Sequence, residues 1–435
     1  MKKNNPEPLD RTRPPHITPP GRITLPRPRK STLANGIPLY VIDTGDQDVN
    51  RLDVIITSGR YDEEKPHTAD LTAAMLKEGA GGMTSGRIAE QLDYYGAWIK
   101  TSAMYHHTRI TLWSLNRCFR ETWHILAHLV WNPDFPAKEF SVLTARRRQH
   151  LLVEQEKVQY LAAKALYASL FGPEHPYGRT TGADHYDHIA LTDLQQWHRR
   201  RYTPGNSILV LSGKVTPDMF GELDRLFGSR PAATETFPAA VPPPVTPEGP
   251  RENWIEKADA LQSAVHIGRL VVQRDHPDFE GLRILNTLLG GYFGSRLMTT
   301  LREEKGYTYG IHSSLVGLQQ AACLTISTQT DIRYTRPLID GVFAEMERLR
   351  REPVGADELN QVRSYMAGEL IRITDTPFTI ADTCISMLLA RLPFDHFDRQ
   401  ADAIRRMTPE TLQQLAVRYL DPDAFHIAVA GHNTR

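Results

Sequence analysis

Apolar and polar positions alternate in several short segments of the chain, and a helical pattern follows these segments. The segments PLYVID (38–43) and RLDVIITSG (51–59) have the two-residue period of strands, and TADLTAAMLKEGAGG (68–82) has the spacing of an apolar helix that ends in paired glycines. The later segments SAVHIGRLVV (263–272) and FEGLRILNTLLGGYFGS (279–295) repeat that order. The pattern therefore predicts a strand–helix unit that occurs twice.

The ends of the two units also match each other. Residues 191–215 and residues 408–432 each read as an amphipathic helix with a capping threonine, a proline turn and an alternating strand that ends in glycine. Long helical patterns fill the middles, over 137–171 and 356–389. We therefore predict an α+β fold of two homologous domains, each an antiparallel sheet with helices packed on one face, which together form half of a clam-like cavity.

Proline-rich segments indicate where the predicted domains begin and end. Residues 230–253 contain a run of prolines that breaks both the helical and the strand period, as a linker does. The predicted organisation is an extended Pro/Arg-rich arm at 1–28, a first domain at 29–229, the linker at 230–253 and a second domain at 254–435. The arm has two interpretations, a disordered segment or one that lies over a partner subunit.

Composition narrows the class of protein. The chain has 435 residues, 40% of them hydrophobic and 23% charged, which is typical of a globular protein. Its formal net charge is zero, so it lacks the basic excess that nucleic-acid binding usually needs. Three cysteines lie far apart, and no apolar run is long enough for a membrane span. The N-terminus has no apolar signal segment, which favours the cytoplasm over the periplasm.

Three positions on the first predicted helix have the spacing of a metal site without its chemistry. Asp70, Ala73 and Ala74 lie at i, i+3 and i+4, where a zinc peptidase places two histidines and a glutamate base. The chain resembles the pitrilysin/insulinase family of zinc peptidases, in its short-chain branch. The letters around the motif that fit this family are Ala69, Met75, Leu76 and Gly79.

This resemblance implies that the metal site is degenerate. The family's two histidines fall on Asp70 and Ala74, its glutamate falls on Ala73, and its third ligand falls on His150, with Glu154 the nearest acid. Asp70 and His150 are two potential ligands, whereas a catalytic zinc normally takes three from the protein. A methyl group at position 73 cannot act as a general base. We therefore expect no metal in this chain.

A second family motif is intact. The segment REEKGYTY carries Arg302, Gly306 and Tyr309 in the pattern Arg-x-x-x-Gly-x-x-Tyr, and the preceding GGYFGSRLMTTL is similar to the family as well. The resemblance implies that Arg302 and Tyr309 bind the substrate backbone and stabilise the tetrahedral oxyanion. The alternative is structural, with Arg302 paired to Glu303 or Glu304 and Tyr309 packed in the sheet.

The chain thus resembles the zinc-motif-lacking subunit of bacterial two-chain peptidases. That resemblance implies a heterodimeric metalloendopeptidase in which a homologous partner carries an intact His-x-x-Glu-His motif and the zinc. Unfolded peptide would be the substrate, and this chain would be inactive alone. The rival hypothesis is a purely structural or peptide-binding homologue without any role in hydrolysis.

Overall fold

The computed structural model of the chain describes residues 11–12, 21, 23–231, 245, 247 and 249–433. Most of the predicted arm (1–28) and of the predicted linker (230–253) lies outside these residues. The described ends of both segments are ordered parts of the fold. Leu25 is buried in an apolar core, and the first strand of the second half begins at Glu252, just inside the predicted linker.

The first half alternates strands and helices in the predicted order. Apolar residues with a period of two form its strands, and residues with the helical period form its helices. Its elements are β1 (Arg29–Thr32), β2 (Pro38–Asp43), β3 (Val49–Ile56), α1 (Thr68–Met75), β4 (Gly79–Ala80), β5 (Met83–Thr84), α2 (Ser85–Tyr94), β6 (Trp98–Ala103), β7 (Thr108–Leu115), α3 (Phe119–Trp131), α4 (Ala137–Gln155), α5 (Val158–Phe171), α6 (Leu191–Arg201), β8 (Ser207–Gly213) and α7 (Pro217–Leu223).

The second half repeats this order with a different set of helix lengths. Its elements are β9 (Glu252–Glu256), β10 (Gln262–Val271), α8 (Phe279–Asn286), β11 (Ile311–Gly317), β12 (Ala322–Asp331), α9 (Thr335–Arg351), α10 (Ala356–Ile373), α11 (Pro377–Leu389), α12 (His396–Arg406), α13 (Pro409–Tyr419) and β13 (His426–Gly431). Two π-helical turns, Thr287–Gly291 and Met298–Glu304, lie between α8 and β11.

The two main sheets have the same topology. The first has the order β1-β2-β8-β3-β7-β6, and the second, read from its β9 edge, has the order β9-β13-β10-β12-β11. Without β1, each strand of the first sheet has an equivalent in the second. Each sheet is antiparallel except for one parallel pair, β2 with β8 and β9 with β13. This shared order confirms the predicted α+β duplication.

Each sheet is covered on one face by helices of its own half and on the other by a helix of the opposite half. α5 packs on β10 and β13, and α11 packs on β2 and β8. Small residues let α5 approach the second sheet closely, because Ala162 packs against Ala264 and Ala430. The prediction of helices on one face therefore describes each half by itself, and the exchanged helices cover the second face.

Several element boundaries differ from the predictions. The helix predicted from TADLTAAMLKEGAGG (68–82) ends at Met75, and strand β4 takes up the glycine region that follows. The long helical pattern over 137–171 is interrupted between α4 and α5, and the pattern over 356–389 is interrupted between α10 and α11. Thr408 caps α13 as predicted, since its side chain accepts a hydrogen bond from the Thr411 amide at 3.2 Å. At α6, however, Ala190 occupies the cap position, and its amide donates a hydrogen bond to Asp193 within the helix at 2.8 Å.

Among the described residues, no helix combines the length and the apolar character that a membrane span requires.

Candidate functional site

The degenerate metal motif lies on α1, as predicted. Ala73 is only 2% exposed and belongs to the apolar core of the first half, while Asp70 and Ala74 are half-buried on the same helix. A methyl group offers no lone pair to a metal ion, so neither alanine can be a ligand. The helix therefore presents a single potential ligand, Asp70.

The start of α1 is held by a buried carboxylate. Glu63 accepts hydrogen bonds from the amides of His67 and Ala69, both at 3.1 Å, and so satisfies donors that the first turn of a helix leaves free. Burial raises the pKa of Glu63 to about 7 despite these bonds. His67 has a left-handed backbone with a φ of 71°, and its ring stacks on Tyr186 at 4.2 Å. The helix start is thus fixed without a metal.

Basic residues surround Asp70. Its pKa is raised chiefly by burial, and the charges of Arg60 and Arg147 act in the opposite direction. Arg60 also lies over the ring of Tyr105 at 4.6 Å, and Arg179 lies 3.5 Å from Glu63. Arg60 and Arg147 are thus the cations whose charges act on Asp70.

His150, the predicted third-ligand position, lies on the exposed side of α4. Its side chain is 71% exposed, and its Nε2 atom lies 3.9 Å from Glu154 Oε1. Arg147, three residues earlier on the same helix, is the residue of α4 whose charge acts on Asp70. The sequence offered Arg147 only as one member of the run ARRRQH, without any sign of its partner, so it was missed.

The residues at this place do not fit a zinc ion. In the described part of the chain, no group of three or more histidine, cysteine, aspartate or glutamate side chains is arranged to hold a metal. No hydrogen bond or ion pair joins Asp70 to His150 within the same residues. The donor set therefore lacks both the ligands and the general base of a metallopeptidase.

Arg302 and Tyr309 are brought together by the turn between the helical segment and β11. Gly306 follows the helical segment Met298–Glu304 and its cap, Lys305, and its φ of 63° is one that glycine adopts without strain. The Tyr307 amide then closes the turn by donating to the Leu301 carbonyl at 2.9 Å. The glycine of the motif thus reverses the chain and places the tyrosine beside the arginine.

Tyr309 projects from the surface. Its exposed fraction is 94%, whereas the preceding Thr308 is buried and donates its hydroxyl to the Gln329 carbonyl at 2.6 Å. Alternation along an extended segment accounts for this difference, because successive side chains point to opposite faces. The structural alternative for Tyr309, packing within the sheet, is excluded by its exposure.

Arg302 lies between two aromatic rings. Its guanidinium carbon is 4.6 Å from the centroid of Phe293 and 5.8 Å from that of Tyr309. Its nearest carboxylate is that of Glu303, at 3.8 Å, which is a long and largely solvated ion pair. Phe293 is 65% exposed, and its role was missed although it lies within the matched segment GGYFGSR. The guanidinium therefore keeps donors free for a ligand.

A cavity of about 430 Å³ adjoins Tyr309. Most of its wall comes from the second half, including Tyr292, Phe293 and His312, and one wall residue, Gln159, comes from α5 of the first half. The structure shows no hydrogen bond, ion pair or ring contact between this group and Asp70, Ala73, Ala74 or His150 in the described residues. Within the described residues, the predicted positions thus form two separate sets, one at Asp70 and one at Arg302 and Tyr309.

Comparisons with known proteins relate the chain to one peptidase family. Residues 188–366, which include Arg302 and Tyr309, match the family model described as the peptidase M16 inactive domain. M16 is the class designation of the pitrilysin/insulinase peptidases. The chain is a homologue of the M16 peptidases. At the position of this family's metal motif, the chain has Asp70, Ala73 and Ala74 in place of the two histidines and the glutamate.

Relatives of this M16 homologue carry different descriptions. An uncharacterized zinc protease of Bacillus subtilis is 22% identical over 68% of this chain and 72% of its own length. An uncharacterized zinc protease of Mycobacterium tuberculosis is 26% identical, but the match covers only 55% of each protein. A Helicobacter pylori protein described as a non-peptidase homolog is 24% identical over 86% of both.

A solved structure shows the same fold. The structure described as a peptidase M16 inactive domain from Pseudomonas fluorescens superposes with a TM-score of 0.82 and is 24% identical in sequence. The superposition covers 94% of this chain and 98% of that one. The duplicated architecture is therefore the M16 architecture.

Proposed function

We propose that this M16 homologue is the zinc-lacking subunit of a heterodimeric metalloendopeptidase. A homologous partner supplies the zinc and the general base, and this chain supplies Arg302 and Tyr309. Unfolded peptide is bound between the two subunits. One observation carries the proposal. The chain keeps the arginine–tyrosine pair intact, whereas its metal motif is reduced to Asp70, Ala73 and Ala74.

The exposure of Tyr309 supports a role across an interface. A tyrosine that is 94% exposed gains nothing from packing in the free chain, yet its position is fixed by the turn at Gly306 and by the buried Thr308. Such a side chain is ready to meet a substrate held by a second protein. Its phenol hydroxyl can donate a hydrogen bond, which is what a developing oxyanion requires.

Arg302 supports the same role. A guanidinium held between Phe293 and Tyr309 loses little conformational freedom on binding and presents several donors in a fixed plane. Peptide carbonyl oxygens and carboxylates accept such donors well. We assign to Arg302 the positioning of the substrate backbone and to Tyr309 the stabilisation of the oxyanion.

A description among the relatives also agrees with the lack of independent activity. The Helicobacter pylori relative is described as a non-peptidase homolog, while others are described as zinc proteases. We propose that this chain belongs functionally with the former and acts only in a complex.

The test is peptide cleavage by the reconstituted pair of subunits, with Tyr309→Phe in this chain. Removing one oxyanion donor should lower kcat by roughly 10²–10³-fold, with assembly of the pair unchanged. The matched control is Tyr94→Phe, which removes a hydroxyl from another exposed tyrosine (83% exposed) on α2 and should leave kcat unchanged.

The outcome separates the proposal from its rival. If both variants cleave peptide as well as the unmodified pair, the chain is a structural or peptide-binding homologue. Purified alone, the chain should cleave no peptide. Chelator-sensitive cleavage by the isolated chain would contradict the assignment of zinc to the partner.

A further inference from the structure

A cavity of about 590 Å³ lies where the two halves of the chain meet, away from Arg302 and Tyr309. The turn between β6 and β7 forms one wall, the turn between β11 and β12 forms a second, and the C-terminal part of α11 forms a third. Its volume falls within the range of about 300–1,000 Å³ typical of sites for small ligands.

Arg274 contributes a half-buried cation to the wall of this cavity. Its guanidinium is half-buried, and its one hydrogen bond runs from Nη1 to the Ser386 hydroxyl at 3.1 Å. No carboxylate lies within ion-pairing distance of it in the part of the chain that the structure describes. Burial lowers the pKa of Arg274, which reflects the cost of holding its charge away from water, and the charge of Glu280 offsets part of that cost. An anion in the cavity would remove this cost.

The other charges of the cavity leave a positive excess at this point. Arg109 is already neutralised, since it donates to Asp53 at 2.8 Å and to Asp382 at 2.6 Å. Burial lowers the pKa of His107 to about 4, so its ring is uncharged at neutral pH. Arg391 lines the cavity without an ion pair among the described residues, and Asp275 is the remaining carboxylate.

Apolar and amide groups complete the wall. Ile385 and Leu389 of α11 face the cavity, and Leu318 lies opposite them in the turn between β11 and β12. Gln319 is fixed by its hydrogen bond to the Leu389 carbonyl at 3.0 Å, and this bond joins the two walls. The cavity thus combines an unpaired cation with apolar surface, as sites for amphipathic acids do.

We infer that this cavity is a binding site for a small organic carboxylate with an apolar body, whose carboxylate pairs with Arg274. A bidentate pair with the guanidinium would replace the missing partner, and the apolar body would cover Ile385 and Leu389. Because both halves contribute walls, the bound acid would hold α11 against the turns of the two sheets. The site is independent of the proposed peptidase role.

The probe is N-acetyl-leucine, and its matched ligand is N-acetyl-leucinamide, which has the same body without the charge. Titration calorimetry on the full chain should show binding of the acid, with the amide at least about ten-fold weaker because it cannot form the charge-assisted pair. Inorganic phosphate, an anion without an apolar body, tests whether the apolar body of the ligand contributes to binding. If phosphate competes as well as the acid, or if acid and amide bind equally, the assignment is overturned.

Two variants at the cavity and one control variant test where N-acetyl-leucine binds. Arg274→Gln should weaken N-acetyl-leucine at least about ten-fold, whereas Arg405→Gln, on the exposed face of α12, should leave it unchanged. Gly317→Ala keeps every charge but places a Cβ 2.8 Å from Arg274 Cδ, so it should displace the stem and weaken binding as well. Unchanged affinity in Arg274→Gln, with its unfolding temperature preserved, would overturn the site.

Discussion

At the scale of single residues, Gly306 determines how Arg302 and Tyr309 meet. Its φ of 63° reverses the chain directly after the helical segment, and no heavy atom lies within 4 Å of the place where a Cβ would stand. A substitution by alanine therefore adds backbone strain without a steric clash. We expect Gly306→Ala to lower the free energy of unfolding by about 1 kcal/mol.

The matched control for this change is Gly368→Ala in the middle of α10. That glycine is exposed, helical and equally free of close neighbours, so alanine should raise the free energy of unfolding by about 0.5–1 kcal/mol. Urea denaturation of both variants measures the two effects. If the two substitutions change stability in the same direction, the left-handed backbone at Gly306 does not determine its cost.

Residues differ in how well the sequence predicts their position. Arg302 and Tyr309 could be predicted because the glycine between them indicates a turn, and a turn keeps neighbours in the chain close in space. Arg60 and Arg147 could not be predicted, since they approach Asp70 from separate segments of the chain. Charges that meet only through tertiary packing leave no local pattern in the sequence.

At the scale of elements, Asp382 fastens α11 to the first sheet. Its Oδ1 atom accepts from Arg51 at 3.0 Å and from Arg109 at 2.6 Å, and Asp53 binds both arginines from within the sheet. Arg51 is 3% exposed, so its charge depends on these partners. We expect Asp382→Asn to lower the free energy of unfolding by about 1–2 kcal/mol, because Asp53 still compensates the arginines.

Asp402→Asn is the control for that substitution. Asp402 pairs with Arg405 on the exposed face of α12 at 2.6 Å, and such surface pairs contribute about 0–1 kcal/mol. Denaturant titration compares the two variants, and hydrogen exchange of α11 reports whether the helix loosens. Equal stability losses would show that the exchanged helix does not depend on the buried arginines.

The elements themselves were largely predictable, whereas their exchange between halves was not. β2 has the bounds of the segment PLYVID, because its alternation and its flanking residues both indicate a strand. Each long helical pattern corresponds to two consecutive helices: α4 and α5 in the first half, and α10 and α11 in the second. That α5 covers the second sheet and α11 covers the first depends on which apolar faces fit, and the periodicity of each helix is the same in either arrangement.

At the scale of the whole molecule, the exchanged helices make the two halves interdependent. The α5-facing side of the second sheet is built from small or buried residues such as Cys323 and Ala428, and it would face water without the first half. Arg302 and Tyr309 belong to the second half, while Gln159 on α5 lines the cavity that adjoins Tyr309. The geometry of the candidate site therefore depends on both halves together.

The whole chain also buries several histidines in their neutral form. Burial lowers the pKa to about 4 at His67, His106, His107, His198 and His266. Each unfolded histidine, with a pKa near 6.5, takes up a proton in mild acid that its folded counterpart does not. Glu63 acts in the opposite sense, since its raised pKa of about 7 means that it holds a proton in the folded state.

His198 gives the clearest test of this acid sensitivity, because it is buried at 7% exposure and its Nε2–H donates to the Val130 carbonyl at 2.8 Å. Its lowered pKa means that its contribution to stability is complete above pH 6.5 and is lost as the pH falls towards 4. Over that window it should contribute up to one proton, or about 1.4 kcal/mol per pH unit, to the slope of unfolding free energy against pH. His198→Gln keeps a donor for Val130 but cannot be protonated, so urea titrations from pH 4 to 8 should show a shallower slope below pH 6.5 and the same slope above 7. A variant with the original slope throughout would mean that His198 is protonated in the folded chain, and the acid sensitivity would then have to arise at other groups.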